Sequence, residues 1–190
     1  STQGVSSAAS DVYKRQVGIV WSFVFNPTRG ILNHMLDLFN ISSWKHAWLG
    51  EGKTALWCIG AALVWQAIGY YMVMHVASID GISQEIYEAA SIDGATGAQK
   101  FFKITIPLLR RSIGTTYILA LSGTINLSFT LSNVMTGGGP NGASSVLLQY
   151  MYTQGMRNAN FGYAMAIAMF TLMLAIVLAM ISRKLSAEKE

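Results

Sequence analysis

The side chains able to do acid–base, metal or nucleophile chemistry are few, and their spacing does not suit it. His34, His46 and His75 show no metal-ligand spacing, so no metal is expected. Cys58 is the only cysteine, which excludes a disulfide scaffold and reads as a small buried hydrophobe. Gly52-Lys53-Thr54 looks like the end of a phosphate-binding loop, but Ala47 stands where the first glycine is required and no buried strand precedes it. Lys53 is read instead as an interfacial residue whose stem lies beside the next apolar stretch. Residues 55–76, 112–135 and 161–181 contain no Asp, Glu, Lys or Arg. A membrane-embedded enzyme would need convergent acid, base or metal-binding groups there, which argues against catalysis on this chain.

What remains is hydrogen-bonding and docking chemistry. Gln66 and Tyr70 lie in the first of those stretches, and Asn126 and Asn133, seven apart and so on one helical face, in the second. A polar side chain in hydrocarbon must find a partner, either another helix or a solute path, and both readings stand for these four. The densest polar segment is Glu88-Ala89-Ala90-Ser91-Ile92-Asp93-Gly94-Ala95, continuing through Phe101 and Ile104 to Pro107. Its local chemistry predicts two short helices in water. Ser83 is an expected N-cap with Glu85 in the first turn, and Gly94 is the stop. Thr96 followed by Gln99 forms a capping box opening the second helix, which Pro107 is expected to end. Ala89 and Ala90 leave the first helix thin on one side, and Glu88 stands ready for an ion pair.

The elements that position these groups follow from composition. At 52% hydrophobic and only 12% charged over 190 residues, the chain reads as an integral membrane protein. Residues 55–76, 112–135 and 161–181 are each long enough to cross a bilayer, and Val17–Phe25 is too short and reads as the end of a further span. The expected fold is therefore all-α and polytopic, with three complete spans, the end of a fourth, and a helix-turn-helix loop over residues 77–111. His75 is expected to cap the far end of the first complete span. Ile31–Phe39 reads as a surface-lying amphipathic helix, and the loop at 136–160 offers Tyr150 and Tyr152 as interface anchors. Ala164 and Ala168 follow a small-x-x-x-small pattern that permits close packing. Ser1–Gln16 has no apolar signal-peptide core. Its end, Asp11-Val12-Tyr13-Lys14-Arg15-Gln16, resembles a translated transposase adaptor, so residues 1–16 are expected to be a cloning or assembly scar. An uninterrupted native codon run at the genomic locus would refute that. No basic run is dense enough to track phosphates, so nucleic acid is not an expected partner.

Glu88-Ala89-Ala90, Gly94, Ile104 and Ile106-Pro107 together resemble the EAA signature of ABC importer permeases. Asp93 and Ala95 flank the glycine as in many members; Ile106 stands where leucine is usual and Arg110 where a second proline is common. Asn26-Pro27 through Gly30-Ile31-Leu32-Asn33, Trp65-Gln66 through Tyr70, Thr136-Gly137-Gly138-Gly139-Pro140 and Gly162-Tyr163-Ala164 are similar to the maltose-transporter-like branch, which imports oligosaccharides and glycerol phosphates. The resemblance covers Val17 to Lys184 and implies a partial permease domain, residues 17–190, lacking the front of a six-helix family member.

The resemblance implies a transport subunit of an ATP-driven importer of oligosaccharides or related carbohydrates, in a bacterial cytoplasmic (inner) membrane. ATP and magnesium would sit on a separate ATPase subunit, with no cofactor on this chain. Glu88, Ala89, Ala90, Asp93 and Gly94 would meet that ATPase, with Thr96, Gln99, Ile104 and Pro107 shaping the loop. Gln66, Tyr70, Asn126 and Asn133 would be candidates for the solute path. Further implied partners are a second permease subunit, an extracytoplasmic solute-binding protein and the lipid bilayer. Lys100, Lys103, Arg110, Arg111, Arg183, Lys184 and Lys189 against Arg157 place residues 77–111 and the C-terminus in the cytoplasm, although Arg29, Lys45 and Lys53 crowd the opposite loop. The alternatives are a permease for a polyamine or phosphate, and a membrane assembly protein without transport activity.

Overall fold

The computed structural model describes the backbone of residues 2–187 and the side chains of residues 11–181. Ser1 and Lys189, and the side chains of Arg183 and Lys184, lie outside the described residues. Eight α-helices follow one another among the described residues: α1 Thr2–Val24, α2 Ile31–Leu38, α3 Ala55–Asp80, α4 Gln84–Ile92, α5 Gly97–Lys100, α6 Ile106–Met135, α7 Leu147–Tyr152 and α8 Phe161–Ala187. Among the described residues three continuous helices are long and apolar enough to cross a membrane: Ala55–Asp80, Gly97–Met135 and Phe161–Ile181. Their side chains are mostly exposed within the chain, as lipid-facing helices require.

The boundaries of the first two differ from the sequence-based expectation. Pro107 does not end a helix. Phe101–Thr105 forms a π-helical turn in which the Ile106 N–H reaches the Phe101 carbonyl five residues back, so α5 runs through it into α6 as one 39-residue helix. The wider turn relaxes the clash that the proline ring makes with the carbonyl four residues earlier, and Pro107 sits where α6 begins. Nor does His75 cap α3, which continues past it to Asp80. α1 runs back to Thr2, well beyond the apolar run at 17–25; this concerns the conformation of residues 2–16 and not their origin.

The chain divides into two compact units. The first comprises residues up to Trp65 together with Gly123–Met173, the second Gln66–Ser122 together with the chain from Leu174 onward. In the first unit the core is Val17, Phe25, Cys58, Ile59, Ala62, Leu131 and Met135. Small residues set the approach of its helices: a Cβ on Gly18 would lie 2.9 Å from Val134 Cγ1. Trp21 stacks on Phe25 with centroids 5.3 Å apart.

Between α1 and α3 a polar knot replaces the apolar contacts that a loop cannot make. Asn33 is buried; its Nδ2 donates to the carbonyls of Pro27 (3.0 Å) and His46 (3.1 Å), and its Oδ1 accepts from Trp48 Nε1 at 2.7 Å. Asn33 and the half-buried Leu32, which packs on the core, tether α2, while Ile31, Met35, Leu38 and the following Phe39 stay exposed, so α2 lies on the surface. Asp37 pairs with Lys45, whose ammonium holds the carboxyl below the usual range.

The loop at 136–160 is more structured than its glycines suggest. Gly137 and Gly138 take positive φ of 62° and 89°, then Ser144, fully buried, accepts from or donates to Thr136 Oγ1 at 2.7 Å while its carbonyl accepts from Ser132 Oγ at 2.9 Å. α7 and a π-helical turn at Thr153–Arg157 complete it. Ala164 packs inside this chain: a Cβ on Gly155 would lie 3.1 Å from its Cβ. Tyr150 meets Tyr163 edge-on and Tyr152 tilts against Phe129.

Candidate functional site

The candidate site is the polar hairpin of the second unit, α4, the turn at 93–96 and α5. Its turn is built by Gly94, whose φ of +76° lies in the left-handed region. The Ala95 N–H bonds the Ala90 carbonyl at 2.9 Å and the Gly94 N–H bonds the Ser91 carbonyl at 3.1 Å. Together these close α4 with a Schellman motif, which a residue with a Cβ would strain. α5 then opens on a capping box: Thr96 Oγ1 accepts from the Gln99 N–H, and Gln99 Oε1 accepts from the Thr96 N–H at 2.8 Å. Ser83 occupies the N-cap of α4, yet its hydroxyl makes no capping bond.

Two side-chain bonds hold α4 against the helix on the far side of the turn. Tyr87 Oη and Thr105 Oγ1 are 2.8 Å apart, joining α4 to the π-helical turn. Lys100 Nζ donates to Ser91 Oγ. On the membrane side, α3 and α6 are joined by Ser78 and Ser112 hydroxyls at 2.7 Å and by His75 Nε2 and Thr116 Oγ1 at 3.4 Å. The hairpin is therefore tied into the same unit as the ends of two long apolar helices.

The surface it offers is mixed. Glu85, Glu88, Ala89 and Ile92, spaced for one face of α4, are all exposed, with Ile92 87% exposed. Glu88 Oε1 accepts from Gln84 Nε2 at 3.0 Å, which fixes the carboxylate at the surface. Asp93 and Gly94 are exposed as well. Ala90 is only 8% exposed and turns inward, in register with Ile82 and Ile86 at four-residue spacing along one apolar face. Its small side chain lets the hairpin close on itself, while Ala89 alone leaves the outer face thin. Ile104 is half-buried, and Phe101 and Phe102 are exposed and meet each other edge-on at 5.1 Å. Such a face can form ion pairs and apolar contacts with another protein. Among the described residues no cluster of His, Cys, Asp and Glu could hold a metal ion.

The polar residues of the spans are placed separately. In the second unit Gln66 is half-buried with Oε1 lacking a hydrogen-bond partner among the described residues, and Tyr70 is exposed, edge-on to Tyr71 at 5.1 Å. In the first unit Asn126 and Asn133 are both exposed. Asn133 Oδ1 lies 3.5 Å from Nε2 of Gln149, a side chain only 1% exposed whose own Oε1 has no partner among the described residues. Gln149 and Tyr87 carry no sequence signal of these roles, since their partners lie 16 and 18 residues away.

Comparison with known proteins matches the geometry. Residues 5–189 match the family described as binding-protein-dependent transport system inner membrane component. The chain is 34% identical over 171 residues to the probable ABC transporter permease protein YurN of Bacillus subtilis (strain 168), covering 88% of this chain and 57% of the relative. It is 31% identical over 172 residues to the diacetylchitobiose uptake system permease protein NgcF of Streptomyces coelicolor, covering 88% and 49%. The crystal structure of a bacterial ABC transporter involved in import of the acidic polysaccharide alginate shares the fold, with a TM-score of 0.79 at 23% identity over 94% of this chain and 60% of that one. The chain thus spans about half the length of the curated relatives it matches. With its three long apolar helices and a hairpin that carries the EAA spacing, the chain belongs to the family of binding-protein-dependent transport system inner membrane components.

Proposed function

We propose that residues 17–190 are part of the transmembrane domain of one permease subunit in an ATP-driven importer of oligosaccharides or related carbohydrates, and that the hairpin at 77–111 is its coupling element on the cytoplasmic side. The observation that carries this reading is the continuity of the hairpin with a span: α5, the π-helical turn and α6 form one helix, and Tyr87–Thr105 bolts α4 to it. A push on α4 is then delivered to the membrane helix instead of being absorbed by a loop.

The push comes from a separate ATPase subunit, which holds ATP and magnesium. Glu88 makes a polar or ionic contact with it, Ala89 permits close approach, Ile92 adds apolar area, and Asp93 and Gly94 form the exposed turn. Ala90 serves the hairpin's own packing. Closure of the ATPase pair moves the membrane helices of this chain and of a second permease subunit, which alternates access for solute delivered by an extracytoplasmic binding protein. Basic residues Lys100, Lys103, Arg110 and Arg111 support the cytoplasmic placement of the hairpin, and Arg183, Lys184 and Lys189 that of the C-terminus. The Streptomyces relative, a diacetylchitobiose uptake permease, supports a carbohydrate cargo. The exposed amides of Asn126 and Asn133 are suited to sugar hydroxyls, as are Gln66 and Tyr70.

The test is made in the full-length parent, reconstituted with its ATPase. Glu88→Lys is expected to leave ATP hydrolysis running while solute uptake falls by about tenfold or more, the factor for a coupling loss of ~1.4 kcal/mol. Normal uptake and normal ATPase assembly in that variant refute the assignment of the hairpin.

A further inference from the structure

We propose that the groove where α3 passes into α4, beside the start of α6, is a binding site for an anionic phospholipid headgroup. The cavity is about 630 Å³ and lies wholly within the second unit. Arg111 and Ser83 line it, together with Ile82 and Leu108. Its position follows from its walls. One is the end of α3 and the first turns of α6, both parts of helices apolar enough to span a membrane; the other is the polar hairpin, so the groove sits at headgroup level.

Its chemistry selects the occupant. Arg111 is exposed, and its guanidinium has no hydrogen bond or ion pair with another described residue. The Ser83 hydroxyl makes no capping bond. By contrast Ser78, also in the wall, has used its proton on the Met74 carbonyl at 2.9 Å and accepts from Ser112. A guanidinium and a hydroxyl donor beside Ile82 and Leu108 fit a phosphodiester followed by hydrocarbon, because arginine grips phosphate oxygens in a bidentate manner and the apolar wall takes the first methylenes. Asp80 and Glu85, the carboxylates adjacent in sequence to its walls, do not line it; Asp80 lines the adjoining cavity instead. The inference concerns lipid and holds whichever solute the importer carries.

The test uses the 190-residue chain in detergent, with native mass spectrometry against phosphatidylglycerol, phosphatidylcholine of the same acyl chains, and inorganic phosphate. Phosphatidylglycerol is expected to bind about fivefold more tightly than phosphatidylcholine, the factor for one basic residue at a membrane surface. Arg111→Gln should erase that preference and Arg157→Gln should keep it. Thr115→Phe, which fills the groove without touching its charge, should weaken phosphatidylglycerol binding and decides the matter if Arg111→Gln loses helicity. An unchanged preference in Arg111→Gln, or unchanged binding in Thr115→Phe, overturns the proposal. So does binding of inorganic phosphate without discrimination between the two lipids, which would make the source free phosphate.

Discussion

Gly94 isolates backbone strain from steric contact, which makes its replacement a sharp test of how the hairpin is held. Nothing lies within 4 Å of a Cβ built on Gly94, and the same is true of Gly97, three residues on. The difference between them is φ: Gly94 sits at +76°, whereas Gly97 opens α5. Alanine at 94 therefore meets no clash and pays only the left-handed penalty, ~1–2 kcal/mol. Alanine at 97 reduces the freedom of the unfolded chain at no cost in strain, so it should be neutral or stabilising by up to ~1 kcal/mol. Amide hydrogen exchange of the peptide covering residues 84–106, in the chain held in a nanodisc, reads the local opening. Gly94→Ala should speed exchange at Ala95 and its neighbours by about fivefold to thirtyfold, the factors that correspond to that penalty. Gly94→Asn should fall between, because asparagine tolerates the left-handed region better than alanine. If Gly94→Ala exchanges like Gly97→Ala, the Schellman closure does not hold the turn and the coupling argument loses its rigid element.

The same exchange measurement reads the bolt between α4 and the π-helical turn: Tyr87→Phe should cost about 1 kcal/mol, Thr105→Val somewhat more because its hydroxyl also donates to the Lys100 carbonyl at 3.4 Å, and the double variant no more than Thr105→Val alone; additive losses would refute the pairing. In the other unit, Asn33→Ala removes the partner of the carbonyls of exposed Pro27 and His46 and of the half-buried Trp48 indole N–H. It should destabilise the chain by about 1–2 kcal/mol, and Trp48→Phe, which removes one bond, by less. Thermal unfolding in detergent followed by tryptophan emission checks this, and an Asn33→Ala midpoint equal to the parent's would show that the knot does not hold the loop.

Particular residues show why some of this was legible in advance. The spans needed only length and the absence of charge, and 55–76, 112–135 and 161–181 lie inside helices that extend beyond them. The capping box at Thr96 and Gln99 is local chemistry three residues long, so spacing is sufficient to find it. Pro107 misled because its effect depends on the turn before it: in an α-helical ladder it would break the helix, but after a π-helical turn it sits in a new first turn. His75 misled because a span's apolar stretch need not end where its helix does. The inward turn of Ala90 follows its register with Ile82 and Ile86, the four-residue apolar spacing that marks one helical face.

By itself the sequence determined the all-helical membrane class, the three long apolar helices, the capped hairpin and the family, because each rests on composition or on spacings within about twenty residues. Only the tertiary structure decided which groups outside those local patterns meet: Asn33 with Trp48, Ser78 with Ser112, His75 with Thr116 and Ser132 with the Ser144 carbonyl. A hydrogen bond needs a donor and acceptor about 3 Å apart, and helices that pass at contact distance can bring any two register positions that close. Which positions those are depends on the packing of small residues such as Gly18 and Gly155 against their neighbours, a property of the assembled fold that no local pattern encodes.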